Sequence, residues 1–342
     1  MCNTKEAMPK SKRITILVFL VWATGFAYAQ EVVSPIKDFC QPGVLHKSPG
    51  KGVAVEYVFY PGYGQSSIDS EDARVNGNHH LLAKFKIPVV NKERLKVLLG
   101  VRYFEEVYLM NNAEPEKNWL FYNLNGKKLK SHRFSAYLAH SFGYQYYLGL
   151  KAELSYNGDY DSFLSLDQRY RESYLVGVLG KKKNANTEWG LGLVSRFGYR
   201  GMVTYPFLIY NQTFDEHWGL EATLPVKCMI RYRFSESSLL LFGGEMASRN
   251  YSVDLHKGQS NDSPLGRYVI TNPEAQLNIS FQQQLSKWIW MEVKTGYVRY
   301  MNARVDGKQE VAEIDFQVEK KNSGFAKLGL FLSPPKSYLK GK

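Results

Sequence analysis

The stretch YYLGLKAELSY, residues 146–156, alternates along its length. Tyr146, Leu148, Leu150, Ala152, Leu154 and Tyr156 put apolar groups on one side, while Gly149, Lys151, Glu153 and Ser155 fall between them. A period of two is the strand period, because successive side chains of a strand point to opposite faces. The pattern recurs from about residue 52 to residue 333, as in Val53-Val55-Tyr57-Phe59, Leu95-Val97-Leu99-Val101-Tyr103, Trp189-Leu191-Leu193, Ala275-Leu277-Ile279-Phe281 and Ala326-Leu328-Leu330-Leu332. No helical segment of comparable length appears. The chain reads as all-β.

The other face of these strands is charged. Lys96, Arg102, Arg133, Lys151, Glu153, Arg196, Glu245, Glu292 and Lys294 lie on it, with Gly100, Gly149, Gly190, Gly192 and Gly243 between them. A soluble sandwich also turns polar residues outward, but its strands usually run about 5–6 residues. Here the segments approach the roughly 9–11 residues that a tilted membrane strand needs. The expectation is an antiparallel transmembrane β-barrel, with the apolar face on lipid and the nine charged residues as lumen-lining candidates.

Connector lengths fit that reading. Short turns fall at Asn91-Lys92-Glu93, Phe142-Gly143, Lys182-Lys183-Asn184, Asp215-Glu216-His217 and Leu285-Ser286-Lys287, and long polar connectors at 61–77, 110–128, 157–167, 252–266 and 302–313. Bacterial barrels have short periplasmic turns and long outer loops. Trp189, Trp218 and Trp288 each follow a short turn, as does the Tyr144-Tyr146-Tyr147 cluster. An aromatic girdle at one interface predicts that placement. Reading 217–233 as one strand and 310–319 as loop gives thirteen strands. A tight turn at Leu224-Pro225-Val226 gives fourteen, since proline is poorly tolerated inside a paired strand. Merging weak strands gives twelve, so the expected number is even, about 12–14.

The N-terminus carries a second signal. Lys10, Lys12 and Arg13 precede the apolar run ITILVFLVWA, and Ala27-Tyr28-Ala29 closes the segment. That is the form of a cleaved signal peptide. The expected organisation is a signal peptide at 1–29, an N-terminal periplasmic segment at 30–50, a barrel at 51–333 and a short tail at 334–342. Export and a barrel together point to the outer membrane of a Gram-negative cell. Cys40 and Cys228 follow the signal. Sequence leaves open whether they pair.

The formal charge is +12 and the pI about 9.3. The basic residues are spread singly among apolar ones, and the densest run, Lys181-Lys182-Lys183, sits in a turn. A nucleic-acid stripe is therefore not indicated. The excess favours small anionic solutes or lipopolysaccharide phosphates beside the outer-membrane lipid, because Lys and Arg bind such groups.

No metalloprotease or phosphate-loop spacing is present, and Gly190-Leu191-Gly192 lacks the third glycine of a dinucleotide fingerprint. His79 and His80 are adjacent, so on a strand they face opposite ways and do not share a metal. His140-Ser141 fails as a catalytic dyad for the same reason. A base from a neighbouring strand could reach Ser141, which makes it the one named candidate for a lipid-modifying enzyme. No catalytic residue, cofactor or metal site is assigned.

The blocks YPFLIYNQTFDEHWGLEATLP and RYRFSESSLLLFGGE resemble a family of uncharacterised outer-membrane β-barrel proteins of Gram-negative bacteria, known by a domain-of-unknown-function label. The resemblance covers most of residues 50–333. It implies location and fold and brings no active site. The leading functional expectation is a narrow small-solute pore or transport-related barrel. The alternatives are a structural or surface-binding barrel with a plugged lumen, and a lipid-modifying enzyme.

Overall fold

The computed structural model describes residues 40–67, 70–111, 114, 117–162, 167–199, 201–255, 266–301, 303–308 and 313–334. The expected signal peptide, the start of the 30–50 segment and the end of the tail lie outside the described residues.

The strands are β1 (Val53–Ser67), β2 (Ser70–Asn91), β3 (Leu95–Asn111), β4 (Lys128–Ser141), β5 (Tyr146–Gly158), β6 (Arg171–Lys182), β7 (Thr187–Gly198) and β8 (Gly201–Thr213). They continue with β9 (Trp218–Leu224), β10 (Lys227–Ser235), β11 (Ser238–Leu255), β12 (Gly266–Gln284), β13 (Ile289–Tyr300), β14 (Ala303–Lys308), β15 (Glu313–Lys320) and β16 (Ser323–Leu332). A six-residue helix, α1 (Trp119–Leu124), sits between β3 and β4.

Consecutive strands from β1 to β13 pair antiparallel; β13 then pairs with β16, and β16 closes the ring on β1. The closed wall thus has fourteen staves. Closure satisfies every interior ladder and leaves no long sheet edge for a membrane to solvate. The stretch 310–319, expected as loop, is instead largely β15, which pairs with β14 and with the end of β1. β14 in turn pairs with the start of β12. This hairpin continues β13 and β16 beyond short breaks and extends the wall above the ring. The expected connector at 61–77 is also mostly strand, since β1 and β2 remain paired as far as Ser67 and Ser70.

The predicted turn at Pro225 is present. A cis Leu224-Pro225 bond joins β9 to β10, whose pairing runs from Lys227 opposite Thr223 to Tyr232 opposite Trp218. These two staves are short, and β8 pairs with β9 only from Leu208 to Thr213. The wall is low there. Gly201 to Pro206 are exposed on both faces of β8. On the far side, β11 rises past β10 and its Ser252 bridges Gly158 of β5.

The outward face is apolar and exposed. Val55, Leu99, Leu150, Leu175, Leu191, Phe242, Leu277 and Leu328 are each more than 40% exposed. Soluble monomers rarely show a contiguous apolar belt of this kind, whereas a membrane barrel requires one. Trp189, Trp218 and Trp288 are exposed at the short-turn end, as the girdle reading predicts. Tyr144 and Tyr146 join them, but Tyr147 turns inward and is buried. The fold is an all-β transmembrane barrel.

Candidate functional site

The interior is the only face that concentrates polar chemistry among the described residues. All nine lumen-lining candidates lie on the face opposite the apolar belt, and pairs form among them. Arg133 Nη1 is 3.3 Å from Glu153 Oε1, and Lys151 Nζ is 2.7 Å from Glu153 Oε2. Lys294 reaches Glu245 at 2.6 Å. Arg196 pairs with Glu172, a partner the candidate set omitted. Glu292 pairs with Lys327 at 2.5 Å and Lys51 at 2.7 Å. Lys96 donates to Gln41 Oε1 at 2.7 Å. Arg102 has no acid within ion-pair distance among the described residues.

The short-turn mouth holds a feature that the alternating pattern did not signal. Residues 40–51 form a strap whose contacts pass from stave to stave around the inner rim. The amide of Cys40 donates to the carbonyl of Gly143 at 3.0 Å, and that of Leu45 to Ala185 at 2.9 Å. The amide of Gly43 donates to Glu188 Oε1 at 2.8 Å. Glu188 also accepts from the Tyr147 hydroxyl and from Asn211 Nδ2, both at 2.6 Å. His46 meets Arg233. Ser48 donates twice to Glu221, from its amide at 2.8 Å and its hydroxyl at 2.6 Å. Glu221 in turn faces Arg231, which is fully buried, at 3.1 Å. Lys51 ends the strap, 2.7 Å from both Glu56 and Glu292. Carboxylates on four staves therefore hold one short segment, and hydrogen bonds to charged groups are the stronger kind.

Ser141 belongs to this strap. It is buried on the inner face and donates to the carbonyl of Cys40. Its hydroxyl is directed to a backbone acceptor, away from the lipid surface a lipid-modifying nucleophile would use. Cys40 and Cys228 are both free thiols, the first buried and the second exposed. Burial pushes the Cys40 thiol above its ordinary value.

The long-loop end is filled differently. Trp119, Leu120, Phe121 and Leu124 of α1 are buried against Tyr108, Met110, Leu129, Tyr251, Val253, Tyr268 and Ile270. Beneath this apolar plug, Arg249 of β11 crosses the interior, 3.3 Å from Glu106 of β3 and 2.5 Å from Glu274 of β12. His80 lies 3.2 Å from the same Glu106. His79 points the other way, to the Tyr57 hydroxyl at 2.5 Å on the lipid face. The two histidines separate as their adjacency requires. No metal-ligating cluster occurs among the described residues.

A hollow of ≈ 690 Å³ lies outside the lumen. It is a depression in the lipid-facing surface where Ala136 opposes Ala152 between larger neighbours such as Phe85, Phe134 and Leu175. Small residues in an apolar belt leave such a groove for lipid chains.

No family model matches the chain, and no curated protein matches it. Several solved outer-membrane proteins are similar at low identity. A Pseudomonas aeruginosa FadL homologue is 8% identical with a TM-score of 0.41, over 82% of this chain and 90% of that one. The Pseudomonas putida toluene transporter TodX is 8% identical with a TM-score of 0.36, over 82% and 89%. The Escherichia coli outer membrane protease OmpT is 8% identical with a TM-score of 0.27, over 83% and 97%. At these scores the likeness carries no functional weight, and the fold rests on the strand pairing itself.

Proposed function

We propose that the protein is a transport-related barrel of the Gram-negative outer membrane, shut at rest. The observation that carries this reading is the strap. Residues 40–51 close on the short-turn mouth through side chains and isolated amides and form no ladder with the wall. A segment held this way can leave without disturbing the staves, because the ring is closed without it. The polar inner face behind it suits small solutes in water. The cationic surplus of the chain favours anionic ones over neutral ones. Lipid contacts the belt, and lipopolysaccharide phosphates are expected neighbours because of the chain's overall cationic surplus. Membership in the uncharacterised family suggested by residues 205–225 and 231–245 fits this reading.

The test is single-channel conductance of the refolded chain in a planar bilayer. Low basal conductance that rises when residues 40–51 are deleted supports the reading. Silence in both forms, with the barrel folded, overturns it.

A second reading has its own support. The apolar plug around α1 makes the long-loop end look permanently sealed, as a structural or surface-binding barrel would be. That reading expects silence even after strap deletion.

A further inference from the structure

Three adjacent staves carry cations at one height on the inner face. Lys84 of β2 opposes Arg102 of β3, and Arg102 opposes Arg133 of β4. Like charges placed directly opposite each other on a sheet repel. Lys86 lies one inward step, and Lys151 two, nearer the short-turn end on the same wall. One carboxylate, Glu153, serves this group, and Arg133 and Lys151 take it. The next acid, Glu56, is held by Lys51 at 2.7 Å and Lys327 at 3.1 Å. Among the described residues, no carboxylate is within ion-pair reach of Lys84, Lys86 or Arg102.

The local contacts do not make up the shortfall. Arg102 Nε is buried without an acceptor. Its guanidinium has the Phe104 ring at 5.9 Å as a neighbour. Lys86 rests on the Tyr137 ring at 4.2 Å. Ring faces soften a cation's desolvation, but they do not neutralise its charge. Elsewhere in the interior five acids have a cation, Glu106 and Glu274 from Arg249, Glu172 from Arg196, Glu245 from Lys294 and Glu292 from Lys327. Lys320 of β15 also has no acid in ion-pair reach among the described residues, but it stands apart and donates to Asn272 Oδ1 at 3.0 Å. The uncompensated cations that face one another are on the β2–β4 wall.

We propose that an oxyanion, the carboxylate or phosphate group of a small solute, binds between Lys84, Arg102 and Arg133. A guanidinium fork matches two oxygens of such a group, and an adjacent ammonium adds a point charge. The site gives a solute class to the transport reading and rests on it for the solute's passage.

The test is calorimetric titration of the full refolded chain in detergent at low ionic strength. Inorganic phosphate and acetate are the probes, with chloride as comparator. Saturable binding, weakened roughly tenfold in Arg102→Gln and in Lys84→Gln but unchanged in the exposed-rim variant Lys128→Gln, supports the site. Phosphate binding alone names a phosphate group; acetate binding alone names a carboxylate. Heats that chloride reproduces, or binding equal in all variants, overturn the site in favour of diffuse counterions. If a variant does not fold, phenylglyoxal modification of the unaltered chain decides. Phosphate should protect Arg102 in peptide maps, and no protection overturns the site. Binding without solute flux in liposome swelling upholds the site and sinks only the transport reading. Flux without binding does the reverse.

Discussion

Lys51 and Glu292 stand 241 positions apart in the chain, yet Lys51 Nζ lies 2.7 Å from Glu292 Oε2. The same ammonium is 2.7 Å from Glu56, so one side chain joins the end of the strap to β1 and β13. Lys327 also pairs with both acids, which keeps them compensated if Lys51 leaves.

Lys51→Met should therefore loosen the strap without unfolding the barrel. A hydrogen bond to a charged group contributes about 1.5–3 kcal/mol. Losing two such contacts should make channel openings more frequent by an order of magnitude or more, with the heat-dependent gel shift unchanged. Conductance identical to the parent would mean that the strap is not the closure.

Cys40 reports strap position chemically. Its thiol is buried and its ionisation suppressed, while Cys228 is exposed. Cys228 lies on the lipid-facing side of β10 with Ile230, so the reference is the denatured chain, in which maleimide should label Cys40 far faster than in the folded chain at neutral pH. Because burial raises the Cys40 value above 9.0, its labelling should keep accelerating as pH rises beyond that point. Glu188→Ala strips the acceptor from Gly43, Tyr147 and Asn211 and should speed Cys40 labelling selectively. Equal Cys40 rates in the folded and the denatured parent chain would rule out a docked strap.

The outer plug depends on α1. Leu120 and Phe121 are each 1% exposed. Phe121→Ala should cost about 3–5 kcal/mol if the cavity stays open. Denaturant unfolding followed by near-ultraviolet dichroism would read this cost. A loss below about 1 kcal/mol would mean that α1 packs loosely.

Inside the low side of the wall, Gly192 accommodates the Phe207 ring. A Cβ at Gly192 would also come 2.5 Å from the Gly177 carbonyl, which is backbone and cannot rotate away. Gly192→Ala should destabilise the barrel by about 1–3 kcal/mol, lowering its melting temperature. Gly177→Ala, whose Cβ would meet only a Leu150 methyl at 3.6 Å, should be far milder.

Much of this was legible from alternation. The period of two located the staves, and it put Lys151 and Glu153 on the face opposite Leu150 and Leu154. Pro225 marked the turn that makes the count fourteen, because a missing amide cannot sit inside a ladder. The strap was not legible. Its contacts come from backbone amides such as Gly43 and from single residues such as Ser48, which carry no period. The extension at β14 and β15 was also missed, since Arg304, Asp306 and Lys308 make that stretch look like solvated loop. It stands above the belt, where polar residues pair freely. α1 left a weak trace in the apolar run Trp119-Leu120-Phe121 inside a polar connector. Lys84 and Lys86 alternate with Leu81, Ala83 and Phe85 in the sequence, which puts them inward, but their lack of an acid depends on where Glu56 and Glu153 are held.

The low wall at β9 and β10 has a consequence for the membrane itself. Seven residues of β9, at about 3.4 Å each and tilted near 45°, reach roughly 17 Å, short of the ~25 Å apolar band of such barrels. The lipid beside Leu224 and Val226 must thin to meet them, while lipid beside β2 and β3 need not. Hydrophobic mismatch is therefore confined to one side of the barrel. Deformed lipid is shared most cheaply when two such sides meet, so the bilayer gives the molecule a preferred direction in the membrane plane.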